Sequence, residues 1–207
     1  MNGKIRILVA DDHKIVRIGL VSLLNTIDGL EVIGEASDGD EAVAIAQRTR
    51  PDVVVMDLMM PNKDGDTATA EIHAMLPETR ILILTTFGTS DGIARALASG
   101  ATGAVMKTAD DRLLVEAIRE VASGRRYISD DIRRLLAEDP PIPELTDRQM
   151  EILQSITRGL TNADIAKLLG IREDSVKKLV ATVCTKIGAA NRTEAAVIAI
   201  RKHLLKL

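Results

Sequence analysis

Three acidic residues stand where carboxylates are costly. Asp57 closes the apolar run Val53-Val54-Val55-Met56, and the doublet Asp11-Asp12 closes a second run, Ile5 to Ala10. A carboxylate at the end of a buried strand needs a compensating partner. Three of them at one sheet edge repel each other unless a cation sits among them, and hard oxygen ligands favour magnesium or calcium. Two further apolar runs end in complementary groups, a hydroxyl at Thr85 and a cation at Lys107. Together the set describes a phosphoryl acceptor. The Asp57 carboxylate would attack a phosphoryl group and form an acyl phosphate. A divalent ion held by Asp12, Asp57, Asp11 through water and one backbone carbonyl would neutralise the developing charge. Lys107 and Thr85 would each take a further phosphoryl oxygen. Singly, each residue has an ordinary explanation: a strand-end turn for Asp57, a helix N-cap for Asp11-Asp12, a solvated Lys107. Their arrival in order at four strand ends favours the chemistry.

The elements that must position these groups follow from periodicity. Strand-like runs are Lys4–Ala10, Leu30–Glu35, Asp52–Met56, Arg80–Leu84 and Gly103–Met106. Amphipathic stretches lie between and after them: His13–Thr26, Gly39–Thr49, Asp64–Leu76, Ser90–Ser99 and Asp110–Ser123. Short, continuous, Val- and Ile-rich runs read as strands buried on both faces, hence parallel. Five strand–helix repeats predict an α/β doubly wound domain over residues 1–124. Ligands of such sheets collect beyond the carboxyl ends of the strands, where the acids, Thr85 and Lys107 fall. Residues 125–144 read as a linker that holds a short helix over Arg125–Glu138, then the proline cluster Asp139-Pro140-Pro141-Ile142-Pro143. Over 145–207 the strands vanish and four short helices are predicted, a small all-α domain. Thr146-x-x-Gln149 opens the first as a capping box, and Gly159 ends it. Thr161 caps Asn162–Leu169, which Gly170 ends. The third helix runs from about Asp174 to Ile187 before Gly188, and the fourth starts behind Thr193.

Composition narrows the function classes. Aromatic residues are 1% of the 207, so single-strand nucleic-acid recognition by base stacking loses support. One cysteine, Cys184, excludes an internal disulfide framework and fits a reducing cytoplasm. No apolar run is long enough to span a membrane, and the start MNGKIRILVADD turns acidic too soon for a signal peptide. The net charge of −3 conceals a polarity. Residues 1–124 carry 12 Lys+Arg against 19 Asp+Glu, whereas residues 145–207 carry 11 against 6. An acidic front and a basic back predict different partners, the back one a polyanion.

The first 124 residues resemble the receiver domain of two-component response regulators, a flavodoxin-like fold with five parallel strands in the order 2-1-3-4-5. The matching motifs are Leu8-Val9-Ala10-Asp11-Asp12, Val55-Met56-Asp57-Leu58-Met59-Met60-Pro61, Leu84-Thr85-Thr86 and Val105-Met106-Lys107. The resemblance implies Asp57 as phosphoacceptor, Asp11 and Asp12 as magnesium acids, and the Met59 backbone carbonyl as a further metal ligand. It implies Thr85 and Thr86 as the phosphoryl-contacting switch region, Lys107 as the phosphate-pairing cation and Gly65 as the turn glycine after the site. It also exposes a departure. The family carries a Tyr or Phe three residues before the lysine, an aromatic that swings inward with the threonine, and Ala104 stands there instead. Signal is then expected to pass through backbone movement near Thr85–Thr89. Met59 and Phe87, both apolar where the family flanks the acyl phosphate, predict slow autodephosphorylation.

In the back domain, helical periodicity turns Val176, Leu179, Val180, Val183, Cys184 and Ile187 to the core, and Lys178, Ala181, Thr182 and Thr185 away from it, flanked by Lys177 and Ser175. Such a face of lysines, hydroxyls and small residues suits a major groove. The motifs Leu145-Thr146-x-Arg148-Gln149-x-Glu151-Ile152-Leu153, Gly159-Leu160-Thr161-Asn162-Ala163-Asp164-Ile165-Ala166, Ser175-Val176-Lys177 and Asn191-Arg192-Thr193-Glu194-Ala195 resemble LuxR-type helix-turn-helix domains of the NarL/FixJ class. By that resemblance Asp174–Ile187 is the recognition helix, with DNA contacts at Ser175, Val176, Lys177, Lys178, Ala181 and Thr182. Val176 is claimed by both readings, as core by periodicity and as a contact by family; core with an edge contribution is favoured. The helix after Thr193 is where the family dimerises on DNA.

The expectation is therefore a cytoplasmic bacterial response regulator that acts as a transcription factor. Its partners would be a sensor histidine kinase, double-stranded DNA and, when phosphorylated or DNA-bound, a second copy of itself. Its cofactor would be Mg2+. It would not be an enzyme with a separate substrate. A magnesium-dependent phosphohydrolase is the rival reading, but Met59 stands where that chemistry wants a second acid. A DNA binder whose receiver is only a dimerisation scaffold is the other.

Overall fold

The apolar runs form strands whose alternate residues feed two different cores. In the computed structural model, which describes residues 3–86, 90–202 and 204–205, the chain divides into two units at the Pro140–Pro141 junction. The first unit contains β1 (Ile5–Ala10), α1 (Lys14–Thr26), β2 (Leu30–Ala36), α2 (Gly39–Thr49), β3 (Val53–Met56) and α3 (Gly65–Met75). It continues with β4 (Arg80–Thr85), α4 (Ser90–Ala98), β5 (Gly103–Met106), α5 (Asp111–Ala122), β6 (Tyr127–Ile128) and α6 (Asp130–Glu138). All strand pairs are parallel, in the order β2-β1-β3-β4-β5-β6. Ile7, Val9, Val53, Val55, Leu82, Leu84 and Val105 pack with Leu24 of α1 and Leu114, Ile118 and Val121 of α5. Their neighbours Leu8, Ala10, Val54, Met56, Ile81, Ile83 and Ala104 pack with α2, α3, α4 and α6. Period-two alternation thus divides the helices between the two faces.

The doubly wound parallel domain and the order of its first five strands agree with expectation. The strand count does not: a sixth strand pairs Tyr127 with Gly103 and Ile128 with Ala104. Two residues between Arg126 and Ser129 are too few to show a period, so only pairing to β5 reveals them. The stretch expected as linker is likewise more ordered than its sequence announces. Residues 127–138 extend the sheet and lay Ile132, fully buried, into the core on the α4 side. The connection without helix or strand is reduced to the proline-rich segment after Asp139.

The second unit holds α7 (Asp147–Thr157), α8 (Asn162–Leu169), α9 (Glu173–Ile187) and α10 (Arg192–Arg201). Thr146 and Gln149 close a capping box on α7, and Thr161 and Asp164 close one on α8. Gly170 and Gly188 end α8 and α9 in the left-handed conformation. The fourth helix starts two residues earlier than expected, because Asn191 accepts the Glu194 amide at 2.9 Å and serves as N-cap instead of Thr193. Ile152, Leu153, Ile156, Ile165, Val176, Val183, Cys184, Ile187, Ile198 and Ala199 form the core. No helix among the described residues is long and apolar enough to cross a membrane.

Candidate phosphoryl site and nucleic-acid interface

Strand register brings the reactive groups together. Ala10 pairs with Met56 and Thr85 with Met106, so Asp11, Asp57 and Lys107 leave the sheet at one edge. The ladder continues past the strands: the Asp57 amide donates to the Ala10 carbonyl at 2.9 Å, and the Lys107 amide to the Thr85 carbonyl at 2.7 Å. Asp11 is 1% and Asp57 4% exposed. The Lys107 ammonium lies 2.7 Å from Asp11 Oδ2 and 2.7 Å from Asp57 Oδ2, bridging them. The Leu58 amide donates to Asp57 Oδ1 at 2.7 Å. Burial pushes the Asp57 carboxyl above its ordinary value, against the opposing hydrogen bond and charge of Lys107. Burial would also lower Lys107, but its hydrogen bonds to Asp11 and Asp57 prevail and hold the ammonium above its ordinary value. The lysine is therefore charged and fixed between two acids.

Asp12 is the more open acid, and His13 organises it. The His13 ring Nδ1 sits 2.7 Å from Asp12 Oδ1, while its backbone amide donates to Asp11 Oδ1 at 2.9 Å. Asp11, Asp12, His13 and Asp57 each offer a ligand atom within 4.8 Å of the other three. Asp11 Oδ2 and Asp12 Oδ1 are buried and lack a well-directed hydrogen bond, although each lies in an ion-pair contact. Buried carboxylate oxygens with spare acceptor capacity, clustered at this spacing, fit a small hard divalent cation such as Mg2+. Met59, expected to contribute its carbonyl, lies in the loop after β3 and is 49% exposed.

The loop after β3 is built to approach the site closely. The Gly65 amide donates to the Leu58 carbonyl at 2.9 Å, and any side chain at Gly65 would run into the Asp57 carbonyl oxygen. Asn62, with φ of 64°, donates to Asp38 Oδ2 at 2.8 Å and ties this loop to the start of α2. Thr85 is buried at the end of β4, Thr86 follows it exposed, and Ala104 is fully buried on β5. Phe87 and Thr89 lie outside the described residues. Sequence reasoning missed His13 and also Arg17, whose guanidinium donates to the Asp11 carbonyl at 2.5 Å and lies 3.5 Å from Glu35. His13 was legible as the neighbour of the acidic doublet. Arg17 was not, because its partners lie on a loop and on another strand.

In the second unit α8, the turn at Gly170 and α9 make a helix-turn-helix. Ser175, Lys177, Lys178, Ala181 and Thr182 are all exposed on α9, as their face predicts. Val176 is 0% exposed, so its side chain belongs to the core and offers nothing to that face. This corrects its place among the contacts: β-branched Val176 packs in the cluster that joins the four helices. Three contacts qualify the rest. Lys177 lies 3.7 Å from Glu173 and 3.5 Å from Asp174, and the Thr182 hydroxyl donates to the Lys178 carbonyl at 2.9 Å. Arg192 donates to the Leu160 carbonyl and Asn162 Oδ1, fastening α10 to the start of α8.

Comparison with known proteins bears on both units. The response regulator receiver domain family matches residues 7–119, and the luxR family of bacterial regulatory proteins matches residues 143–199. The uncharacterized transcriptional regulatory protein YxjL of Bacillus subtilis (strain 168) is 37% identical over 215 aligned positions, covering 98% of this chain and 98% of that one. The response regulator protein VraR of Staphylococcus aureus is 34% identical, covering 98% and 99%. Among solved structures, the response regulator ChrA of a heme-sensing two-component system is 36% identical with a TM-score of 0.60, covering 98% and 100%. RcsB dimers bound to DNA share the fold with a TM-score of 0.70, covering 97% and 99%, at 24% identity. With both halves matched and relatives aligned along the whole chain, the protein belongs to the two-component response regulators of the LuxR class, DNA-binding transcription regulators with a receiver domain ahead of a LuxR-type output domain.

Proposed function

We propose that Asp57 accepts a phosphoryl group from a partner histidine kinase in the presence of Mg2+, and that this controls dimerisation and sequence-specific DNA binding. The observation that carries the reading is the pairing of Lys107 with both Asp11 and Asp57 at the strand ends, beside Asp12. An Asp57 oxygen forms the new bond to phosphorus as the phosphorus–nitrogen bond to the kinase imidazole breaks, and the imidazole departs with the electron pair. Lys107 stays charged and moves from carboxylate to phosphoryl oxygen as negative charge builds there. Thr85, buried at the neighbouring strand end, supplies a hydroxyl to another oxygen. Asp11, Asp12, Asp57 and the Met59 carbonyl would hold the metal, which supplies neutralising charge to the phosphoryl oxygens. His13 orients the first two acids.

In the output unit Lys177 and Lys178 would meet phosphates or guanine, with Ser175, Ala181 and Thr182 on the same groove face. The chain acts on its own aspartate, not on a separate substrate, and works in the bacterial cytoplasm. The test joins chemistry to output. Phosphotransfer from a small donor such as acetyl phosphate should label the wild type and not Asp57→Ala, and genome-wide DNA occupancy should differ between the two. Labelling of Asp57→Ala to the wild-type level would sink the assignment. Identical occupancy would favour the scaffold reading.

A further inference from the structure

Ala104 leaves the receiver without an aromatic to move, and the structure shows what lies over that position. Ala104 is fully buried on β5, flanked by Ile83 of β4 and Ile128 of β6. Immediately after β6, the Ser129 amide donates to the Ala104 carbonyl at 3.1 Å, so α6 starts against that strand. Ile132 of α6 is fully buried in one cluster with Ala104 and with Ile93 and Ala96 of α4, and Leu135 and Leu136 pack partly buried against it. At the other end Asp139, the C-cap of α6, accepts a hydrogen bond from the Ser90 hydroxyl at 2.8 Å. Ser90 is the first residue of α4. The helix is thus fastened to the strand that carries Lys107 and to the helix that follows Thr85.

We infer that α6 is the element that conveys the state of Asp57 to the output unit, held in the unphosphorylated chain by the Ser90–Asp139 hydrogen bond. This rests on the reading of Asp57 as phosphoacceptor. A phosphoryl group brings acceptor oxygens and charge to the strand ends beside Thr85. A hydrogen bond from Thr85 draws the end of β4 toward them and shifts the start of α4. Ser90 then leaves Asp139, and the C-terminal turn of α6 loosens. From that turn Asp139-Pro140-Pro141 leads directly into the output unit, so release at this end changes how the output unit is tethered. The core side of α6 stays anchored through Ile132, in the cluster that holds Ala104.

Amide hydrogen exchange on the full chain, with Mg2+ and with or without beryllofluoride as phosphoryl mimic, tests this. The peptide around Asp57 should gain protection, while the amides of residues 135–139 exchange at least about 5-fold faster. Ser90→Ala and Asp139→Ala should show the faster exchange without beryllofluoride and little further change with it. Asp139→Asn, which keeps an acceptor oxygen, should behave like the wild type and separates loss of the bond from general damage. Protection at Asp57 with exchange in α6 unchanged would overturn the proposal and leave the phosphoacceptor reading standing. No protection at Asp57 would overturn both. Wild-type exchange in Ser90→Ala would show that the bond does not hold the helix.

Discussion

Lys107 and His13 divide the work of controlling three acids. Lys107 is shared by Asp11 and Asp57, and all three side chains are almost wholly buried. Taking one partner from such a set leaves buried charge uncompensated. Lys107→Met should therefore destabilise the metal-free protein by about 3 kcal/mol at neutral pH. Added Mg2+ should recover more thermal stability in the variant than in the wild type. Equal melting temperatures without metal would contradict the bridging role. The His13 ring meets Asp12, the acid that Lys107 does not reach, while its amide adds a hydrogen bond to Asp11. Groups that orient metal-binding carboxylates typically matter by a factor of ten or more. His13→Ala keeps the amide and loses the ring, so Mg2+ affinity measured by calorimetry should fall about 10-fold. An unchanged affinity would make the ring a bystander.

At the scale of elements, the site depends on loops pinned to helix ends. Asp38 caps α2 by accepting the Glu41 amide at 2.8 Å, and it also accepts from Asn62 in the loop after Asp57. The Glu41 bond first, then the Asn62 bond, hold its carboxyl below the ordinary value. A carboxyl lowered in the folded state stabilises fully above its unfolded pKa, and that contribution is lost as pH falls through the folded value. Asp38→Ala should cost about 1 kcal/mol at neutral pH. The gap from wild type in urea unfolding should close as the pH drops below about 4. A gap that persists undiminished at about pH 2 would show that the charge is irrelevant. The same scale explains what the sequence concealed. The strand β6 has two residues and no period, and α6 carries its apolar positions among Asp130, Asp131, Arg133 and Arg134. Pairing to β5 and burial of Ile132 decide both.

For the whole molecule, charge separates the two tasks. The receiver is acidic and clusters carboxylates at its strand ends, whereas the output unit is basic and presents Lys177 and Lys178 on α9. Replacing both lysines with alanine should weaken binding to several unrelated duplexes alike and lower the log–log salt slope by about 2. A slope equal to that of the wild type would place the DNA on another face. Lys177 is already engaged by Glu173 and Asp174, so Lys178 should account for the larger share of the lost binding. By itself the sequence determined the first five strands, the doubly wound order and the acid, hydroxyl and lysine positions, since apolar runs ending in polar residues are local signals. It also determined the outward face of α9, which follows from helical period. Only tertiary structure decided that Lys107 holds two acids at once, that Arg17 braces Asp11, that Val176 is wholly core and that α6 covers Ala104. Each of these depends on residues distant in the chain becoming neighbours, and no local pattern encodes that distance.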